Sequence, residues 1–264
     1  MLTGSFSGNT LDIVEATYTA LVTGPAPLAL DGAAIGGELP ARSIPLPELE
    51  GLLLDRPGRP SAECETRDAI WRELITRARS GREAWVIGCF GVALPGLKRL
   101  AAQVTRPLDR HTADDVVSEI VTRFLEAVHT IDLEPRNVGP RLIWRAREAA
   151  LYARMRHTRD IPTEPHQVLG DTEAAYAVGL DHDVTPVQAL AEAVALGVIT
   201  QHEADLITVT RLSTTSLSDL ARKLEVPNKR LYSQRDRAEA RLRAAIAEGH
   251  VPVTANGRVP NPAS

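Results

Sequence analysis

Residues Ser216–Ala247, SLSDLARKLEVPNKRLYSQRDRAEARLRAAIA, leave the fewest folding options of any stretch in the chain. Apolar positions fall at Leu217, Leu220, Ala221 and Leu224, then at Val226, Leu231, Ala238, Leu242 and Ile246. The first group predicts a helix of about two turns and the second a longer helix. Val226-Pro227 separates them, because the residue before a proline avoids the α region whereas proline suits a first helical turn. With the small Ala221 at the crossing, this is the pattern of a helix-turn-helix. Glu225 stands in the turn, where such motifs often carry glycine; a left-handed backbone there costs ~1 kcal/mol. With Leu231 inward, Asn228, Lys229, Arg230, Tyr232, Ser233, Asp236 and Arg237 make a polar, mostly cationic opposite side. Such a helix enters the major groove, using its first turns for bases and its flanks for phosphates. Solvation of a terminal amphipathic helix produces the same periodicity, so periodicity alone leaves both readings open.

The net charge of −4 over 264 residues gains meaning only when it is resolved along the chain. Residues 1–66 carry net −6, Asp160–Thr210 carries nine acids and no lysine or arginine, and Ser216–Ala247 carries net +4. Local charge sets the field at a binding face, so the positive C-terminal segment is compatible with nucleic acid despite the acidic total. Set against the cations of 141–159 or 229–243, the acids between Asp160 and Asp205 would restrain DNA binding; a solvated linker is the plain alternative. Two cysteines, Cys64 and Cys89, give neither a disulfide framework nor metal-ligand spacing, which fits a reducing cytoplasm. The longest apolar run, Ala84–Leu97, reads as a buried helix too short to span a bilayer, and no signal peptide is evident. No membrane association is expected.

Taken in order, residues 1–65 read as a partly irregular N-terminal extension. Asn9–Val22 suits a short helix and 47–54 another that must dock on something, while Gly24–Pro45 has no sustained period. A helical domain is expected over 66–159. Thr66 caps its first helix and Gly81 ends it; Ala84–Val104 follows, with Pro95 kinking or dividing it. Thr112 and Asp115 form a capping pair for a helix to Val128, and Arg141–His157 is the fourth helix. Residues 160–185 read as an acidic linker, 186–247 as a second helical domain with Thr200 capping a helix to Arg211, and 248–264 as a disordered tail. The fold class is all-α, with two helical domains joined by the linker.

The fourth helix of the first domain interleaves Arg141, Arg145 and further arginines with Trp144 and Tyr152. Rings that stack on bases and guanidinium groups that hold the backbone suit single-stranded or distorted DNA; apolar packing with wet arginines is the plain alternative. Ahead of it, DDVVSEIVTRFLEAV places Val116, Ile120, Phe124 and Val128 on one stripe and Asp114, Asp115, Glu119 and Arg123 off it. Acids at a helix start also serve the helix dipole, which is the competing explanation for Asp114 and Asp115.

The order of these pieces resembles bacterial sigma factors, especially the extracytoplasmic-function type, and is similar to divergent sigma-like regulators of actinobacteria. Ser216-Leu217, Leu220-Ala221, Leu224, Val226 and Arg237-Ala238…Ala240-Arg241-Leu242-Arg243 resemble the fourth conserved region, which binds promoter DNA. DDVVSEIVTRFLEAV, then IDLEP and the arginine-rich helix, resemble the second, with DAIWRELITRARSG…LPGLKRLAAQV as its opening helices. The sequence departs from relatives at Tyr232 and Gln234, where arginine is frequent, at Arg141, often tryptophan, and at Glu148, often asparagine. The resemblance implies promoter DNA and core RNA polymerase as partners, an anti-sigma or other regulatory protein as a further one, and docking of polymerase through Asp114, Asp115, Glu119 and Arg123. A stand-alone helix-turn-helix repressor or activator is the alternative. With no phosphate-binding glycine loop, no Gly-x-Ser-x-Gly and no paired His-Glu motif, catalysis is not expected. Neither a cofactor nor a metal is expected, since His166, Asp181, His182 and Asp183 match no usual ligand spacing.

Overall fold

The structure, a computed structural model, describes residues 10–37, 39–53, 61–106, 108–157 and 186–251. The described residues are mostly helical, with eleven helices and one two-stranded antiparallel sheet. Those up to His157 form one compact unit and those from Pro186 onward another. The segment expected as an acidic linker, 160–185, lies outside the described residues, as do 252–264 of the expected tail.

The first unit is built around α5 (Glu83–Thr105). Seven consecutive residues, Gly88 to Leu94, are buried, which is close to two turns with no face left for water. Pro95 lies inside this single helix and does not divide it. The 14-residue apolar run thus belongs to a 23-residue helix, long and apolar enough by length and composition to cross a membrane. Its apolar surface is instead covered within the unit by α1 (Thr10–Thr23), α3 (Leu46–Leu53), α4 (Ser61–Arg79), α6 (Arg110–Thr130) and α7 (Val138–His157). Phe90 of α5 meets Phe124 of α6 edge to face, with ring centroids 5.0 Å apart.

Two of the covering elements, α1 and α3, are the short helices expected within the partly irregular N-terminal extension. Gly24–Pro45, which shows no sustained period in the sequence, holds strand β1 (Ala29–Asp31), the short helix α2 (Gly32–Ile35) and strand β2 (Ser43–Pro45). The strands pair with Leu30 opposite Ile44, and both side chains are fully buried. Three-residue strands are too short to show an alternating pattern, which is why periodicity passes over them. On α1, Tyr18 lies against Gly91 and donates its hydroxyl proton to Glu50 of α3. Burial raises the pKa of both groups above their ordinary ranges, and for Tyr18 the adjoining carboxylate acts in the same direction.

Helix starts differ from expectation where a better oxygen lies upstream. α4 begins at Ser61, so Thr66 is inside the helix rather than its cap. Asp109, not Thr112, caps α6: its carboxylate accepts from the amides of His111 (3.0 Å) and Thr112 (3.1 Å) and from the Thr112 hydroxyl (2.7 Å). Gly81 (φ +82°) ends α4 as expected. The α6–α7 connection is tied to α4 by side chains. Asp68, buried, accepts from the amides of Asn137 and Val138, each at 2.8 Å, and so caps α7 from another helix. Arg72 donates to the Leu133 carbonyl (2.7 Å), and Arg79 to those of Val128 (2.9 Å) and Ile131 (2.5 Å).

The second unit packs α8 (Pro186–Ala195), α9 (Gln201–Arg211), α10 (Leu217–Lys223) and α11 (Asn228–Ala247) around Leu190, Ala193, Ile199, Ala204, Ile207 and Ala238. Thr200 caps α9 as expected, and Glu203 completes a capping box with it. The chain does not leave this unit at Ala247, because Gly249 (φ +74°) turns it back and Val251 is buried in the same core.

A Cβ at residue 91 would sit 2.0 Å from the ring of the buried Tyr18. Gly91→Ala is therefore expected to destabilise the chain by about 1–3 kcal/mol, read as a lower urea midpoint with the slope unchanged. An unaltered midpoint would show that α1 does not seat on α5.

Candidate nucleic-acid interface

The α10–α11 pair has the geometry of a helix-turn-helix. Ser216 caps α10 by accepting from the Asp219 amide (3.1 Å), and Leu220, Ala221, Leu224 and, on α11, Leu231 are all buried. The turn is a Schellman closure: the Val226 amide donates to Ala221 (3.0 Å) and the Glu225 amide to Arg222 (3.3 Å). That closure requires a left-handed residue, and Glu225 supplies it at φ +54°. The same bonds close α8 at Gly197 and α11 at Gly249, so the fold uses glycine for this turn in two places and glutamate in the third. Pro227 then opens α11, and the Asn228 amide group donates to Ser218 Oγ (3.1 Å), bracing the turn.

The structure divides the expected recognition residues among three faces of α11. Lys229, like Asp236, is exposed on the outward face, with Ser233 half-buried beside it. Tyr232, 58% exposed, leans to one flank, where the Arg235 guanidinium lies 5.9 Å from its ring centroid. On that flank both arginines share a carboxylate: Glu239 accepts from Arg211 through both oxygens (2.8 and 3.0 Å) and lies 3.5 Å from Arg235.

The other flank carries arginines that share no carboxylate. Arg230, Gln234, Arg237 and Arg241 recur at helical spacing and, with Glu203 of α9, line a cleft of about 320 Å³. Arg241 Nη2 donates to Glu203 (2.6 Å) and its Nε to the Val198 carbonyl (3.1 Å), so that pair is matched. Arg237 Nε donates to the Ser233 carbonyl (3.1 Å). Among the described residues neither Arg230 nor Arg237 has a carboxylate partner. Sequence periodicity missed this cleft because its acid comes from another helix.

The acids of 160–185, with His166, Asp181, His182 and Asp183, lie outside the described residues. Of the later acids, Glu203 does meet a cation of α11. Burial raises its pKa, while hydrogen bonds from Arg241 and Thr200 outweigh burial and hold it below the usual carboxylate range. Glu239 is held low too, first by the hydrogen bond from Arg211.

On α7 the arginine-rich pattern separates into unlike roles. Arg154, expected to be either wet or on DNA, is buried and donates to the Val104 carbonyl (3.1 Å). Arg147 donates to Gln103 (3.1 Å), and Arg141 to the carbonyls of Asp132 (2.9 Å) and Pro135 (3.5 Å), closing the loop before the helix. Arg145 is exposed and 3.8 Å from buried Glu148; Trp144 and Tyr152 are half-buried. Of the four α7 candidates, Arg145 is thus the freest to reach a ligand, and Arg141 is largely committed to its own loop.

On α6, Asp114, Asp115, Glu119 and Arg123 are all exposed, while Val116, Ile120, Phe124 and Val128 are fully buried. Since the helix starts at Arg110, no acid lies in its first turn, and Asp109 alone meets the terminal amides. The dipole explanation for Asp114 and Asp115 therefore loses its basis. Asp115 lies 3.8 Å from His157, and Arg123 is paired with Glu126 (2.8 Å). Compared with protein-family models, curated proteins and solved structures, the chain matches none.

Depressed carboxylates contribute stability that is full above their unfolded pKa of about 4.3 and is lost as pH falls through the lower folded value. The second unit should therefore weaken on acidification below about pH 5, and Glu203→Gln should flatten that slope in urea midpoints taken from pH 3 to 7. Parallel slopes for parent and variant would remove Glu203 from the account.

Proposed function

We propose that this chain is a sigma-like transcription factor, working in the cytoplasm, that binds promoter DNA and brings RNA polymerase to it. In this reading α10–α11 engages duplex DNA, with Asn228, Lys229, Arg230, Tyr232, Ser233 and Arg237 at or beside the groove. The α7 stripe of Arg141, Trp144, Arg145 and Tyr152 serves the core promoter, with Arg145 as its most available cation. The outer face of α6 docks polymerase, and a regulatory protein of the anti-sigma kind would compete for one of these surfaces. The observation that carries the reading is the α10–turn–α11 pair, closed by left-handed Glu225, which leaves Lys229 and Arg230 exposed and without an ion pair among the described residues. The exposed acids of α6, placed beyond its first turn, support polymerase docking over a purely local role.

Changing Lys229, Arg230 and Arg237 to alanine together should weaken binding to all duplexes alike and flatten the salt slope by about three units, one for each phosphate no longer neutralised. Fluorescence anisotropy from 50 to 300 mM salt measures this, and parent-like binding by the triple variant would end the recognition-helix assignment. Reversing Asp115 and Glu119 to lysine should reduce retention of core polymerase in a pull-down while duplex binding persists, because rim charges act on association and specificity. A parent chain that binds duplex DNA yet retains no polymerase is a stand-alone repressor or activator instead.

A further inference from the structure

The cleft beside α11 differs from the groove-facing surface in shape and in charge. It is concave, lined by Glu203, Arg230, Gln234, Arg237 and Arg241, and its volume of about 320 Å³ lies at the small end of the range for ligand sites. Three guanidinium groups face one carboxylate, and that carboxylate is already satisfied by Arg241 and by the Thr200 amide (2.9 Å). Two positive charges are left over. With Nε committed to Ser233, Arg237 keeps its terminal nitrogens for a ligand, and Gln234 between the two arginines offers both a donor and an acceptor. A charge of +2 set in two planar forks is matched by one group carrying nearly two negative charges and three acceptor oxygens, which describes a phosphomonoester at neutral pH. The volume exceeds what one phosphate occupies, leaving space for the body that it esterifies.

We propose that this cleft binds a small phosphomonoester, with Arg230 and Arg237 donating to the phosphate oxygens, Gln234 between them and the Arg241–Glu203 pair as the back wall. Because Arg230 and Arg237 are also assigned to DNA above, ligand and duplex compete for the same two guanidinium groups. This makes the cleft an effector site that releases DNA when filled. The competition rests on the DNA-binding reading; the anion site does not.

Calorimetric titration of the full chain with phenyl phosphate, against sodium chloride of matched ionic strength, tests the site. Saturable binding to the parent is expected. It should fall by at least roughly tenfold for each guanidinium group removed in Arg230→Gln and in Arg230→Gln with Arg237→Gln. Arg82→Gln with Arg243→Gln removes equal charge outside the cleft and should leave binding within about twofold of the parent. No heat beyond the salt control, or equal losses in the two double variants, overturns the proposal. Duplex anisotropy then separates the two readings. Phenyl phosphate displacing duplex from the parent supports the effector site. Binding of phenyl phosphate with no duplex binding at all leaves the site standing and removes the DNA-binding function. Duplex binding that needs Arg230 and Arg237, without any phenyl phosphate binding, makes the cleft a DNA-backbone contact and overturns the small-ligand proposal.

Discussion

The first unit depends on one constraint, that a helix buried over seven successive residues has no side to give to water. Every turn of α5 between Gly88 and Leu94 must meet protein, and an ordinary amphipathic arrangement cannot supply that. Helices α4, α6 and α7 cover part of the circumference, and α1 and α3 cover more. The N-terminal segment is consequently a structural member of the unit. Its β1–β2 pair holds Leu30 and Ile44 where they add to the apolar interior, and its Tyr18 reaches α5 at the one position where a missing Cβ admits an aromatic ring.

Much of the second unit was legible in the sequence because its signals are local. Thr200 as a cap, the break at Val226-Pro227 and the inward set Leu220, Ala221, Leu224 and Leu231 each act within a few residues, and the structure realises each. In the first unit the apolar stripe of α6 was equally plain. What could not be read involves partners distant in the chain or elements too short to carry a period. Asp109 outcompetes Thr112 for the α6 amides because a carboxylate one residue ahead of the helix reaches two of them at once. The burial of Arg154 follows from a carbonyl fifty residues away, at Val104, which no spacing rule anticipates.

The candidate site shows the same division. Composition gives Ser216–Ala247 its positive excess, yet the excess is not spread evenly around α11. Glu239 absorbs Arg211 and Arg235 on one flank, while on the other Glu203 is occupied by Arg241 and leaves Arg230 and Arg237 uncompensated. Counting charges along the sequence treats all eight bases alike. Which arginines meet a carboxylate depends on how neighbouring helices are placed, Arg211 and Glu203 both coming from α9, and at short range that outweighs net charge.

Asp68 has a further consequence for α7. Apolar contact between helices is non-directional and by itself tolerates small slides and rotations along the interface. Two hydrogen bonds donated by successive amides, those of Asn137 and Val138, to one buried carboxylate do not. They fix where α7 begins relative to α4, and every residue after that point inherits its azimuth at a fixed step per position. The outward aim of Arg145, two turns later, is thus set by an aspartate on a different helix. In that sense α4 acts as the indexing pin of the arginine-bearing surface, although it contributes no cation to it.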